Sequence, residues 1–127
     1  MSIKIALEAI EVHAEGEPSR VITSAADLVQ GETMAERFDY CRAELDHLRL
    51  LRLHEPRGYP SQCAVFVLPP VNAGSAFGVV VLEQGGFTPM SGSNTMCTVT
   101  AMLESGRVPM VEPVTELALE APAGLIR

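Results

Sequence analysis

Two short runs of consecutive apolar residues constrain this chain more than any other feature. Cys63-Ala64-Val65-Phe66-Val67-Leu68 and Phe77-Gly78-Val79-Val80-Val81-Leu82 are compact and rich in β-branched side chains. Pro69-Pro70 closes the first run and Gly85-Gly86 the second. Each is about the length of a buried strand, so the fold must contain sheet shielded from water.

The remaining chain supplies the shielding. Ile3, Ile5 and Leu7 alternate with polar or small residues, which predicts a half-buried strand, broken at Glu15-Gly16-Glu17-Pro18 and followed by a short strand at Arg20-Val21-Ile22. The clearest helix is predicted over Thr33 to Leu51. There Met34, Phe38, Cys41, Leu45 and Leu48 recur at helical spacing, with Glu36, Arg37, Arg42, Glu44 and Arg49 between them. Pro56 and Gly58 end it. A second helix is predicted from Thr95 to Glu104, with Met96, Val99 and Leu103 on one face and Gly106 as its stop. Thr95, Thr98, Val99 and Thr100 are poor helix formers, so packing against strands has to hold it. Val114 to Leu119 alternates as a further strand, and Pro122-Ala123-Gly124 reads as a turn. The expected class is α+β, a mixed sheet wrapped around a buried helix.

Bulk properties exclude several partners. The 127 residues make one domain's worth of chain, with 47% hydrophobic and 20% charged residues. A formal net charge of −7 argues against nucleic acid or an anionic membrane surface, both of which call for a basic patch. No apolar run approaches the roughly 20 residues of a membrane span. Cys41, Cys63 and Cys97 form no CxxC pair and have no His spaced for zinc. Their odd number fits reduced thiols in a cytoplasmic protein. His47 and His54 belong to no metal-ligand set, and the methionines read as core filler.

The most chemically suggestive segment is Met90-Ser91-Gly92-Ser93-Asn94-Thr95, which opens the second helix. Backbone N–H groups at a helix start lack intrahelical partners and carry partial positive charge, which suits a carboxylate or phosphate. The same residues also make an ordinary N-cap. Cys97 lies well inside this helix and reads as a small buried hydrophobe; Cys41 reads as core, and Cys63 as the start of a strand.

Four segments in order carry a resemblance. They are His13-Ala14-Glu15-Gly16-Glu17-Pro18-Ser19-Arg20, Glu55-Pro56-Arg57-Gly58-Tyr59, Met90 to Thr95, and Pro122-Ala123-Gly124-Leu125. Together they resemble the proline racemase family, which includes 4-hydroxyproline 2-epimerases and trans-3-hydroxy-L-proline dehydratases, over Ile5 to Ile126. The resemblance implies a barrel-like lobe that is one half of a diaminopimelate-epimerase-like two-lobe fold, with substrate bound between the lobes. Residues 1–127 correspond to the first lobe, and the second lies outside this chain. Charged residues around the two proline turns (His13, Arg20, Glu55 and Arg57) read as structural ties.

Where the family has Met-Cys-Gly-His, this chain has Ser91 at the catalytic Cys position and Ser93 at the His position. The resemblance therefore marks Ser91 as a catalytic position, with Gly92, Ser93 and Asn94 holding the substrate carboxylate through backbone N–H groups. A hydroxyl lacks the accessible anion of a thiol at a helix start, so Ser91 is a poor base for an α-proton. Elimination needs one base, whereas racemisation needs an acid and a base on opposite faces. The expected activity is thus dehydration of trans-3-hydroxy-L-proline with a Cys of the second lobe as base, without cofactor or metal. The alternatives are 4-hydroxyproline 2-epimerase or proline racemase, or a non-catalytic lobe that binds a partner or a small carboxylate. The partner otherwise expected is a second lobe or a second copy.

Overall fold

The computed structural model describes residues 2 and 4–127. Ten elements follow in order: β1 (Ala9–Ala14), β2 (Glu17–Ile22), α1 (Met34–Glu44), α2 (Asp46–Leu53), β3 (Cys63–Leu68), β4 (Phe77–Glu83), β5 (Gly86–Thr88), α3 (Gly92–Glu104), β6 (Leu119–Ala121) and β7 (Gly124–Ile126). The strands form one mixed sheet in the order β1-β2-β3-β4-β6-β7, with β5 attached to β4. The β2–β3 and β4–β6 pairs are parallel and the others antiparallel. The class is α+β as expected. The barrel-like sheet is unclosed, running from β1 at one edge to β7 at the other.

The two apolar runs are β3 and β4, and their alternation divides the interior into two cores. Ala64, Phe66, Leu68, Val80 and Leu82 face Met34, Cys41, Leu45, Leu48 and Leu53 of α1 and α2. Val65, Val67, Val79 and Val81 face Ala101 and Met102 of α3. Successive strand residues point to opposite faces, so a strand covered by helices on both sides has no place for polar residues. Each fully buried large side chain contributes roughly 1.5–3 kcal/mol.

Several sequence expectations are revised. The first strand begins at Ala9, not at Ile3: β1 pairs residue for residue with β2 across the two-residue turn Glu15-Gly16. The length of β2 therefore sets where β1 starts, and Ile5 is left 40% exposed. Ile3 lies outside the described residues. The turn has φ 52° at Glu15 and 91° at Gly16, the left-handed pair that twists in step with the flanking strands. Strand β2 is longer than Arg20–Ile22 and accommodates Pro18, because pairing with β3 starts only at Ser19.

The helix expected over Thr33–Leu51 is two helices meeting at Leu45, whose φ of −115° and ψ of 11° break the first. Thr33 caps α1 in a reciprocal capping box with Glu36. The break lets Arg49 turn inward, where it donates to Asp46 at 2.6 Å and to the carbonyls of Glu83 and Gln84 at 3.1 and 2.6 Å. Val114 to Ala118 is not strand: β6 starts at Leu119 and Val114 is 67% exposed. The reason is the parallel register: Leu119 stands opposite Phe77, the first residue of β4, so the residues before Leu119 have no strand to run beside.

Helix α3 starts at Gly92 and buries a different stripe from the one expected. Asn94, Cys97, Thr98, Ala101 and Met102 face the sheet, while Met96 is 60% exposed and Val99 and Leu103 are half-buried. The buried face is mostly of small residues, which brings the helix close to β1, β2 and β3. Met34 and Met102 do fill core, but Met90, Met96 and Met110 are at the surface.

Glu120 on β6 is buried and accepts the N–H groups of Val71 and Asn72 at 2.8 and 2.7 Å, clasping the loop after β3. Burial pushes its carboxyl up, but the two N–H donors outweigh that and hold it below the ordinary glutamate range. The folded value thus lies below the unfolded one, about 4.3. The stabilisation is present above that pH and disappears as pH falls through the folded value. Glu120→Gln should destabilise by about 1–3 kcal/mol at neutral pH. Denaturant unfolding at neutral pH and in acid checks this: the gap between the two proteins should shrink in acid, and an unchanged gap contradicts the assignment.

Candidate active site

Hydrogen bonds from Arg20, Ser19 and Ala123 tie the four sequence segments together. Arg20 on β2 donates through Nη1 to the Arg57 carbonyl at 2.7 Å and the Arg52 carbonyl at 2.8 Å. Ser19 donates to Asn94 Oδ1 at 2.7 Å, joining β2 to α3. The Ala123 N–H donates to the Pro89 carbonyl at 3.2 Å, seating the last turn against the residues leading into Ser91. Arg20 also pairs with Glu11. His13 accepts the Gly16 N–H through Nδ1 at 3.0 Å, closing the β1–β2 turn. Gly58 packs onto Leu53 so closely that a Cβ there would lie 2.2 Å from the Leu53 carbonyl oxygen. His13 and Arg20 thus act as structural ties at the first proline turn; at the second the tie runs through the Arg57 carbonyl, and among the described residues the Glu55 and Arg57 side chains make no such contact.

Ser19 and Ala123 bring the first and last segments to the start of α3, while Arg20 holds the Glu55–Tyr59 segment to β2. Ser91 is the N-cap, extended at φ −149° and ψ 126°, and its side chain makes no capping bond. The first intrahelical bond is from the Thr95 N–H to the Ser91 carbonyl at 3.0 Å, and Thr95 Oγ1 donates to the same oxygen at 2.7 Å. Among the described residues nothing accepts from the N–H groups of Gly92, Ser93 or Asn94. No acidic side chain in the first turn offsets their partial charge. The arrangement leaves three aligned donors and the Ser91 hydroxyl at one end of a 13-residue helix.

Asn94 is unlike its neighbours. Its side chain is buried and turned inward: Oδ1 accepts from Ser19, and Nδ2 donates to Ser91 Oγ at 2.9 Å. Ser19 and Cys63, register partners on β2 and β3, lie directly beneath it. The sequence reading passed over Ser19. The available signal was strand parity, since Ser19 shares the α3-facing side of β2 with Val21.

Neither nearby thiol is poised as an anion. Burial pushes the Cys63 thiol up, the Asn94 hydrogen bond draws it partly back, and Glu83 and Glu17 raise it further. Burial likewise raises Cys97, with the neighbouring Cys63 adding to it, and its Sγ lies 3.9 Å from the Glu17 carbonyl. Cys41, in the α1 core, is pushed up to about 12 by burial. Among the described residues no three His, Cys, Asp or Glu side chains are grouped to hold a metal ion. No helix there is long and apolar enough to cross a membrane. A groove of about 970 Å³ runs along the outer side of α3, between Thr95, Met96, Val99 and Thr100 and the segment from Thr115 to Leu119. It lies beside Ser91 rather than at it.

A family profile described as proline racemase matches residues 9–127. A 4-hydroxyproline 2-epimerase of Streptosporangium roseum is 40% identical over 126 residues, which cover 99% of this chain and 38% of the relative. A proline racemase of Acetoanaerobium sticklandii is 36% identical over 127 residues, covering 100% of this chain and 38% of that protein. The crystal structure of a hydroxyproline epimerase from Agrobacterium vitis, with bound trans-4-hydroxy-L-proline, matches with a TM-score of 0.87 at 32% identity. That match covers 94% of this chain and 35% of the other. A phenazine biosynthesis protein of the PhzF family from Bacillus anthracis shares the fold at 18% identity and a TM-score of 0.56. The chain spans a little over a third of the length of the curated relatives above. With its family-wide match from β1 to the last residue and its four segments linked through β2 and the start of α3, the chain belongs to the proline racemase family.

Proposed function

We propose that residues 1–127 form one lobe of a cofactor-independent enzyme that removes the α-proton of a proline derivative, and that its reaction is dehydration of trans-3-hydroxy-L-proline. The observation that carries this reading is Ser91 at the head of α3, beside the three unpartnered N–H groups of Gly92, Ser93 and Asn94. The N–H groups receive the substrate carboxylate, and the positive end of the helix stabilises charge that builds there as the α-proton leaves. Ser91 is the catalytic position, but an aliphatic hydroxyl is not ionised near neutral pH and does not serve as the base. A base outside residues 1–127, a thiol by the family resemblance, takes the α-proton. The electron pair left at the α-carbon forms the C2–C3 double bond as the C3–O bond breaks, the departing hydroxide takes a proton from the protonated base and leaves as water, and the cyclic enamine rearranges to the imine.

The 4-hydroxyproline 2-epimerase reading stands second, favoured by the 40%-identical relative of that name and by the neighbour with bound trans-4-hydroxy-L-proline. The unpaired cysteines fit the cytoplasm. The exposed apolar side chains of Met96, Val111, Val114 and Leu125 support burial against a second lobe or a second copy.

Assays of the complete gene product on trans-3-hydroxy-L-proline, trans-4-hydroxy-L-proline and L-proline separate the readings. Pyrroline should form from the first, while the chirality of L-proline persists; rapid racemisation of L-proline returns the second reading to first place. Ser91→Ala should slow dehydration, and Ser91→Cys should bring in epimerisation, because the helix start stabilises a thiolate. Residues 1–127 alone should turn over none of the three substrates, and thiol-sensitive turnover by them would point to Cys63 or Cys97.

Gly92 offers a sharper test of the carboxylate seat. Its backbone is outside the left-handed region, and a Cβ there would meet nothing within 4 Å. The fold therefore has no need of glycine at this position, whereas a ligand approaching the N–H groups does. Gly92→Ala should leave the melting temperature within about 2 °C. The same change should raise KM for the substrate on the order of tenfold. An unchanged KM removes the carboxylate from this seat.

A further inference from the structure

We propose that Ser19 and Asn94 are positioning residues that fix the Ser91 hydroxyl as a hydrogen-bond donor toward the substrate. The inference deepens the proposed function and rests on its placement of substrate over the start of α3. The geometry begins at Ser19, 1% exposed on β2, whose hydroxyl proton has one recipient among the described residues, Asn94 Oδ1 at 2.7 Å. An asparagine side chain has one oxygen that accepts and one nitrogen with two protons to donate. With Oδ1 held by Ser19, Nδ2 faces Ser91 Oγ at 2.9 Å. Both ends of this buried amide are thereby engaged.

The opposite orientation of the amide has a definite penalty. Turned over, Asn94 would present Nδ2 to Ser19 and strand the Ser19 proton in the interior, a loss of about 1–3 kcal/mol. It would also present Oδ1 to Ser91 and draw the Ser91 proton inward. Ser19 thus decides which of two chemically different hydroxyls the substrate meets. In the orientation held here, Ser91 Oγ accepts from below and has no acceptor for its own proton among the described residues. That proton faces the same open end of α3 as the N–H groups of Gly92, Ser93 and Asn94.

The consequence is a fourth donor beside three backbone donors. As the base outside this segment takes the α-proton, electron density moves onto the carboxylate oxygens, and the Ser91 O–H bonds more strongly to them. Ser91 gains and loses no proton in this step. One of its two lone pairs is engaged by Asn94, and an aliphatic hydroxyl is too weak a base to take a carbon-bound proton with the other. The side chain of Asn94 makes no substrate contact; only its N–H does.

The experiment has one arm independent of turnover. In the complete gene product labelled with nitrogen-15, the Asn94 side-chain amide should give two resolved, slowly exchanging proton signals. Ser19→Ala should accelerate their exchange, and Ser91→Ala should shift one of the two. Exchange as fast as that of an exposed asparagine in the unaltered protein overturns the proposal, whatever the enzyme does. In the second arm, with trans-3-hydroxy-L-proline, Ser19→Ala should lower kcat about tenfold with KM within about twofold, the kinetic pattern of an interaction made in the transition state. Ser19→Thr, which keeps a hydroxyl on a strand, should restore most of kcat. Ser19→Ala and Ser91→Ala combined should lose little more than either alone, because the two act through one hydroxyl. An unchanged kcat in Ser19→Ala, or losses that simply multiply, overturns the proposal. Absence of turnover by the unaltered protein on every proline derivative counts against the proposed function alone, and the amide signals then decide the relay.

Discussion

The rest of the structure depends on a sheet whose two middle strands are covered on both faces. β3 and β4 carry apolar side chains at successive positions, so helices must pack on each side or leave half of those side chains in water. One side is closed by α1 and α2 and the other by α3. The second closure is the one that matters for chemistry. Because Cys97, Thr98 and Ala101 are small, α3 approaches the sheet closely, and its first turn comes to rest over the starts of β2 and β3.

That placement explains why four separated segments meet. Ser19 at the start of a parallel pair bonds the turn into α3, Arg20 beside it holds the loop after α2, and the β6–β7 hairpin bonds the residues leading into α3. Each link between them uses a backbone carbonyl, a backbone N–H or a buried side chain that would otherwise lack a partner. Arg20 is the broadest tie: its guanidinium satisfies two loop carbonyls and pairs with Glu11 from the neighbouring strand. A planar group with fixed donor directions suits this task better than a point charge on a flexible stem. The aligned N–H groups of α3 remain the exception, bonded to nothing among the described residues.

What could be read in advance follows the strength of the local signal. The two apolar runs were legible almost to the residue because a strand buried on both faces admits nothing else, and α3 was expected within three residues of its start. Boundaries set by a partner were not legible. β1 begins where β2 runs out, β6 begins only where β4 begins, and the break at Leu45 serves Arg49's reach to Glu83 and Gln84. The α3 stripe was misread for a different reason. Hydrophobicity favoured Met96, Val99 and Leu103, while the helix buries small and polar residues whose hydroxyls and amide are satisfied internally, as with Thr98 Oγ1 on the Asn94 carbonyl at 2.7 Å. At the candidate site, the turn and its open N–H groups were visible in Ser91-Gly92-Ser93-Asn94. The support beneath it was not, because Ser19 and Asn94 are 75 residues apart and neither looks unusual in its own segment.

Replacing a thiol by a hydroxyl at the head of such a helix alters what the helix can do. The positive end of α3 can hold an anion, but a serine gives it none of its own to hold, so its field is left entirely for a bound carboxylate. The two thiols nearby do not substitute. Cys63 and Cys97 are both pushed toward the protonated form by burial, and the Glu17 carboxylate raises both further. On the proposed reading this lobe therefore contributes binding and charge stabilisation but no base. A single-base elimination then follows more naturally than a two-base inversion, which would need a base on the very face where this lobe offers only an aliphatic hydroxyl.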